Sequence, residues 1–385
     1  MSAALPADVV VIGAGIVGAA CARELSGAGL SVVVVDRGDV ASGTTGAGEG
    51  NILVSDKAPG PELDLALLSV ALWRELADVL PREVELEAKG GLVVATEPGA
   101  WAPLRAAAAA QRGAGLVAQE VAADELAGHE PHLASGLPGG VLYPQDMQVQ
   151  PMLAAAHLLR IARGLGARVL TGHEVVGIRR AAGGALTAVL TAYGEIPCGA
   201  VVNAAGTWGG EVAAFAGAPI PVLPRRGFVL VTEPLPRTVR HKVYTADYVA
   251  NVAAGSADLQ TSTVVEGTAS GPVLIGASRE RVGFDRTTSY EVLARLAQQA
   301  VRLFPVLASV RVQRAYRGFR PYCPDHLPVI GPDPRVPGLF HACGHEGAGI
   351  GLAPATALLV TQALTGAEPT MSWEPFSPSR FEASS

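Results

Sequence analysis

The sequence predicts an α/β fold in which one nucleotide-type domain is assembled from several separate segments and a second, α+β domain is inserted twice. Three observations predict it. Residues 8–36 read as a strand, a glycine turn, a helix and a second strand. Further strand-into-glycine segments stand in the middle and near the end of the chain. The composition is 49% hydrophobic and 17% charged with 46 glycines, as in a compact α/β protein, and 385 residues are ample for a core.

Val9 to Ile12 is an uninterrupted apolar run, as expected of a strand covered on both faces. A helix follows to about Ser26, and Val32 to Val35 form the second parallel strand. Residues 41–51, ASGTTGAGEGN, are loop-like. After Pro61, the recurrence of Leu68, Leu72, Leu76 and Val79 at spacings of three to four marks an amphipathic helix. Residues 83–147 mix short strands with an Ala-rich helix and end in the turn YPQDM. A helix from Pro151 to about Arg163 leads to strands near 168–170, 175–179 and 186–191, and VVNAAG at 201–206 is again a strand entering glycine. Strands then alternate with turns, with a helix near 289–303, and a last helix runs from about Pro354 to Leu364. No fixed-period repeat interrupts this pattern, and the 28 prolines are dispersed. The expected division is 1–50, 147–217 and 318–385 for the nucleotide domain, with 51–146 and 218–317 for the inserted one.

Several functions are excluded. The net charge is −6 with no basic run, so no nucleic-acid groove is expected. Cys21, Cys198, Cys323 and Cys343 are scattered, and His157 and His173 have no ligand spacing. No metal site and no disulfide framework are therefore expected, and a reducing cytoplasm is the default. The apolar run at 9–20 lacks a basic leader and is broken by glycines, unlike a signal peptide. Residues 347–364 carry Pro354, Thr356, Thr361 and Gln362 and make a poor membrane span, so no transmembrane segment is expected.

Gly13, Gly15 and Gly18 form a GxGxxG between the first strand and the helix, the arrangement of a Rossmann-like dinucleotide site. Gly13 allows the tight turn, Gly15 lets backbone approach a pyrophosphate, and Gly18 permits close packing of the helix. Ala14, Ile16 and Val17 supply the intervening backbone, and the helix start offers N–H groups and a positive dipole end. Asp36, 23 positions after Gly13, ends the second strand where a carboxylate accepts from ribose hydroxyls. The adjacent Arg37 raises the question of a 2′-phosphate, which Asp36 would repel, so NADP is disfavoured. The alternative is an ordinary glycine turn.

This unit does not separate FAD from NAD. Ser42, Thr44, Thr45 and Gly48, followed by Glu49, Gly50 and Asn51, follow the second strand where a diphosphate leads towards a ring system. Val175 and Val176 lie on a strand that offers backbone to an adenine. Ala204, Ala205 and Gly206, with Trp208 beyond them, form a further place of close backbone approach. The segment HACGHEGAGIGL at 341–352 puts Gly344, His345, Glu346, Gly347, Ala348, Gly349 and Ile350 before a helix. Such a helix start stabilises negative charge on a reduced flavin. Together these segments favour FAD, although each alone reads equally as a tight turn.

GAGIVG with Asp36, the Thr-containing loop, the NAAG segment, RGFRPYCPDHLPVIG at 317–331 and GHEGAGIGL resemble the D-amino acid oxidase superfamily over essentially the whole chain. Within it the chain is similar to glycine oxidase and sarcosine oxidase β-subunit relatives. It also resembles the FAD subunits of hydrogen cyanide synthase, hydroxyproline dehydrogenase and opine oxidase. The resemblance implies a Rossmann-like domain binding FAD non-covalently, and an inserted α+β substrate domain with a mixed or antiparallel sheet. It implies oxidation of a C–N bond in an amino acid or amine by hydride transfer to flavin N5, giving an imine. Arg320, in the G-F-R-P turn, then grips the substrate carboxylate; the alternative is a structural ion-pair partner. Tyr244 and Tyr248 give hydroxyls or a ring wall to the pocket, or else pack in a core. His345 sits in the flavin-facing loop, and Glu49 and Asn51 lie close to the flavin. Cys323 invites comparison with a covalent flavin thioether, but its YCPD context fits a small buried thiol better. Asp325 and His326, being adjacent, are expected to point apart. The electron acceptor is O2 or another acceptor. The stretch EGNILVSDKAPGPELDLA resembles the heteromeric group, which implies a partner subunit; a homo-oligomer is the alternative. An NAD-dependent dehydrogenase and a non-catalytic flavoprotein remain the competing readings.

Overall fold

The computed structural model describes residues 6–248 and 256–384. Its first sheet runs Val329–Pro332, Leu339–Cys343, Gly194–Asn203, Ala7–Ile12, Val32–Val35, Arg168–Leu170. The last four of these strands are parallel to one another, as is Leu339–Cys343 to Gly194–Asn203. The strand Gly194–Asn203 serves two layers. Its second half pairs in parallel with Ala7–Ile12, and its first half turns antiparallel against Leu186–Thr191, which pairs with Val175–Arg180.

The continuous apolar runs follow from cover on both faces. Val9, Val11, Val32 and Val34 join the core under the helices Ile16–Gly27, Pro151–Gly164 and Gly349–Thr365. Val10, Ile12, Val33 and Val35 face the antiparallel strands through Ile178, Val189 and Ile196.

The second sheet is mixed. Its order is Val312–Tyr322, Leu223–Thr232, Val273–Arg279, Gln260–Gly267, Lys242–Thr245, Gly91–Ala95, Gly139–Tyr143, Gln119–Ala122, with only the pair Lys242–Thr245 and Gly91–Ala95 parallel. One face, with Leu92, Val94, Val243 and Val265, is covered by the helix Tyr290–Leu303, whose Ser289 cap accepts from the Val292 N–H. Alternate residues Val93, Tyr244 and Val264 face the larger core shared with the first sheet. The expected boundary at 317/318 falls inside Val312–Tyr322, which is continuous in this sheet.

Two helices depart from expectation. In Pro61–Leu76 the buried face is Leu65, Ser69, Val70, Trp73 and Leu76, whereas Val79 lies beyond the helix and is 55% exposed. The leucine periodicity traced the flank of that face because it omitted Ser69 and Trp73. The last helix begins at Gly349, not Pro354. A proline inside a helix leaves the carbonyl four residues back without its donor. Here Trp73 Nε1 donates to Ile350 O at 3.2 Å and Gly351 O at 3.1 Å. Ser69 Oγ enters the next rung, donating to Gly351 O (2.6 Å) and accepting from the Ala355 N–H (3.3 Å). A neighbouring helix thus supplies the bonds that the proline removes.

Candidate functional site

A cavity of about 400 Å³, within the range of cofactor sites, runs between the two sheets from the glycine turn to the start of the last helix. The three turn glycines differ in what they face. Gly13 has φ +115°, and a Cβ there would stand 2.4 Å from Ala204 O; one on Gly18 would stand 1.9 Å from Gly13 O. A Cβ on Gly15 would meet only Thr45 Oγ1, at 3.0 Å. Gly15 therefore borders the cavity, with Gly13, Ile16 and Val17, while Ala14 and Gly18 are packed behind it.

Asp36 ties this turn to the end of its strand, accepting from the Ala14 N–H (2.7 Å) and the Gly38 N–H (2.8 Å). It lines the cavity and keeps further lone pairs for a ligand diol. The Arg37 guanidinium is engaged, 4.1 Å over the Trp208 ring and 3.7 Å from Glu174. Trp208 also stacks on Phe284 at 5.4 Å. Two hydroxyls expected to follow a diphosphate are committed to the protein. Thr45 Oγ1 accepts from the Ile16 N–H at 3.0 Å, and Thr44 Oγ1 donates to Phe319 O at 2.7 Å, beside Thr207. Both still line the cavity, as do Ser42, Gly48, Glu49, Asn51, Val175, Ala204, Ala205 and Gly206.

Arg320 lines the far end and donates to Ser278 O at 2.9 Å; Gly227, two residues along the next strand from Arg320's partner Arg225, leaves room for its guanidinium. Among the described residues no carboxylate comes within ion-pair distance of it. Tyr248 lines the same region, and the buried Arg279 guanidinium lies 5.0 Å from its ring centre. Burial raises the Tyr248 phenol above its usual range and lowers Arg279. His345, Gly347, Gly349 and Ile350 complete the wall at the helix start. Burial pushes His345 down to about 3, so its ring is neutral at neutral pH, and Nε2 pairs with Thr356 Oγ1 at 3.0 Å. Glu346 lines the cavity, but its carboxylate pairs with Arg225 and with His326 Nδ1 (3.0 Å). Burial opposes its ionisation, yet these two partners hold its carboxyl below the usual glutamate value.

Residues 8–363 match the DAO family, described as FAD dependent oxidoreductase. The chain belongs to that family. It is 33% identical to hydrogen cyanide synthase subunit HcnC of Pseudomonas aeruginosa over 262 residues, covering 67% of this chain and 59% of that relative. It is 30% identical to glycine oxidase of Geobacillus kaustophilus over 381 residues, 97% of each chain. The crystal structure of glycine oxidase from Geobacillus kaustophilus superposes with a TM-score of 0.89 at 29% identity, covering 97% of this chain and 99% of that one.

As a DAO-family chain it is an FAD-dependent oxidoreductase, and its cavity fits a long dinucleotide. A Cβ-free glycine stands at the phosphate turn, a carboxylate at the strand end, and the N-terminus of a 17-residue helix at the other extremity. Several expected residues lie off the cavity. Tyr244 is core: its hydroxyl pairs with Ser55 Oγ, and strand alternation turns it away from the lining. Val176 is 54% exposed, because it alternates with Val175. Gly50 and Gly344 are glycine for packing, with Val149 O and Cys323 Sγ where a Cβ would stand. Ala348 faces a small adjoining pocket with Lys57 and Asp56.

Cys323 is fully buried and pushed up to about 12 by burial, as a small core thiol is. Asp325 and His326 do point apart, to Arg380 and Glu346. No group of three or more metal-ligating side chains occurs among the described residues. No described helix is long and apolar enough to cross a membrane.

Sequence reasoning missed Arg279, Arg225, His173 and Phe319, and a buried Lys242 and Glu266 behind Glu49. The one available signal for the last two was a charged residue in an otherwise apolar strand, as in KVYT and TVVEG.

Proposed function

We propose that this chain oxidises the C–N bond of an amino acid or secondary amine acid to an imine. Arg320 carries the reading: it is a guanidinium lining the cavity, without a carboxylate partner among the described residues, beside the helix start. A guanidinium fork matches a substrate carboxylate bidentately and keeps its charge. FAD, when bound, supplies the hydride acceptor at N5. The protein's own work is placement. Gly13, Gly15, Ile16 and Val17 receive the diphosphate, Asp36 the ribose, Val175 and His173 the adenine side, and Gly347, Gly349 and Ile350 the flavin edge. Tyr248, stacked with Arg279, walls the substrate. Residues 1–50, 147–217 and 318–385 hold the cofactor and 51–146 and 218–317 the substrate. The Pro61–Leu76 helix and the Val312–Tyr322 strand bridge the two.

The relative HcnC bears the name of a subunit, which favours a second reading: the FAD subunit of a heteromeric dehydrogenase that passes electrons to a partner or quinone instead of O2. Purified chain, mixed anaerobically with glycine, sarcosine and the D and L forms of alanine and proline, is expected to bleach with at least one of them. Opening to air gives stoichiometric peroxide from an oxidase, and dye reduction with little peroxide from a dehydrogenase. Arg320→Ala should leave FAD bound and weaken the substrate by about 2–5 kcal/mol; an unchanged KM removes Arg320 from the site.

A further inference from the structure

Behind Arg320 the cavity wall holds a charge arrangement that none of these roles uses. Glu49 lines the cavity and is only 6% exposed. Its Oε2 accepts from Asn51 Nδ2 at 3.3 Å, while its Oε1 has no hydrogen-bond partner. Asn51, also on the cavity wall, has its own buried acceptor Oδ1 without a partner. Two buried acceptors, two residues apart in sequence and on residues that both line the cavity, therefore lack donors.

Buried charges cluster there. Lys242, on the strand behind, is fully buried, in contact with Glu266 and 3.9 Å from Glu49 Oε2. Glu266 Oε1 is further used by the Gly50 N–H at 3.2 Å. Lys242 thus lies between two carboxylates, and Lys89, its side chain largely buried, also faces Glu266. The other titratable groups facing Glu49 are Arg320 and Tyr316 from the strand Val312–Tyr322, and Tyr248. Glu266 holds Lys242 more closely, which leaves Glu49 with the longer contact. Burial raises the Glu49 carboxyl, reinforced by Glu266 and opposed by Lys242 and Arg320.

We propose that Glu49, with Asn51, is the amine subsite: it receives the substrate's ammonium group and takes one proton from it before oxidation. This rests on the amino acid reading above and adds to it the form in which the substrate arrives, a zwitterion. The carboxylate lies on Arg320 and the cationic nitrogen on Glu49 Oε1 and Asn51 Oδ1. An ammonium carries up to three N–H donors and meets both vacant acceptors. In the step, one N–H bond breaks and one O–H bond forms on Glu49 Oε1. No electrons are exchanged, and the nitrogen keeps the lone pair that allows hydride to leave its carbon. Burial, which raises this carboxyl, favours its holding that proton.

The test compares wild type, Glu49→Gln and Glu49→Asp, each loaded with FAD, in anaerobic stopped-flow with the fastest amino acid of the panel above. Wild type should show a reduction rate that is flat above the Glu49 pKa. Glu49→Gln should lose about 10²-fold at pH 7 and regain about tenfold per pH unit as the free amine form of the substrate grows. Glu49→Asp should restore part of the loss with the wild-type profile. A second measurement needs no turnover: wild type should bind 2-aminoisobutyrate, which has no α-hydrogen, more tightly than isobutyrate. Glu49→Gln should bind the two alike.

A Glu49→Gln variant with the wild-type pH profile and wild-type discrimination overturns the proposal. So does weakened FAD affinity with an unchanged profile, which would give Glu49 to the cofactor. If no amino acid bleaches the wild type and 2-aminoisobutyrate is also not preferred, the amino acid reading itself falls. Preference for 2-aminoisobutyrate without bleaching keeps the amine subsite and overturns only the reaction.

Discussion

The three glycines of the opening turn have separable roles, and replacing them one at a time exposes the difference. For Gly15→Leu, the Cβ meets only the far end of Thr45, so the apoprotein should fold nearly normally. The rest of the side chain enters the cavity where the diphosphate approaches backbone. Overpacking costs about 1–3 kcal/mol, and losing a hydrogen bond to a charged group about 1.5–3 more. FAD affinity should then fall by about 3–5 kcal/mol, a hundredfold to a few thousandfold. Gly18→Ala is the converse. Its Cβ would stand 1.9 Å from backbone Gly13 O, which cannot yield without moving the helix from the turn. It should cost the fold about 3 kcal/mol. At an unfolding entropy of about 2 cal/mol/K per residue, 385 residues make each kcal/mol worth about 1.3 °C, so Tm should drop by about 4 °C.

Both variants should be compared as apoproteins, because bound FAD adds its own stabilisation in proportion to affinity. Apoprotein Tm by fluorescence and an FAD titration by absorbance give the two axes. Retention of wild-type FAD affinity by Gly15→Leu, or loss of FAD by Gly18→Ala with no change in apoprotein Tm, refutes the assignment.

Asp146 gives a pH prediction. Its carboxyl is fully buried, accepting from the Val54 and Ser55 N–H groups and contacting Ser55 Oγ, which also meets Tyr244. Burial raises it to about 7, against about 3.9 in an unfolded chain. The folded state binds the extra proton between those values, so this group's stabilisation is present below about pH 4 and lost as pH rises through about 7. About three pKa units correspond to roughly 4 kcal/mol. Asp146→Asn should flatten the fall in Tm between pH 4 and 7; an unchanged slope would assign it to other groups. Trp73→Phe removes the donor to the carbonyl that Pro354 leaves free and should cost about 1–3 kcal/mol, read as apoprotein Tm against Trp73→Leu. Equal stability of Trp73→Phe and wild type would show that packing alone holds the last helix.

The nucleotide half was legible in the residues because its demands are local. Gly13 needs a positive φ, Val9 to Ile12 need cover on both faces, and Asp36 sits a fixed distance along a strand–helix–strand path. Each leaves a mark in adjacent letters. The last helix was less legible, since Pro354 reads as a start until Trp73, 281 positions earlier, replaces its missing bond. The substrate side was least legible. Arg320 was recognisable only through its motif, and Tyr244 and Tyr248, four apart, fell on opposite outcomes because one sits in a strand and the other beyond it.

The sequence by itself determined that this chain makes a dinucleotide turn at Gly13, Gly15 and Gly18 and returns two further glycine segments to it. Steric requirements of backbone near phosphate act within a few residues. Only the tertiary structure decided which charges face the substrate. Glu49 comes from a loop and Lys242 and Glu266 from two strands far along the chain from it, and the chain records neither their distance nor their burial. Electrostatics in a dry cavity depend on that distance and on the water excluded from it.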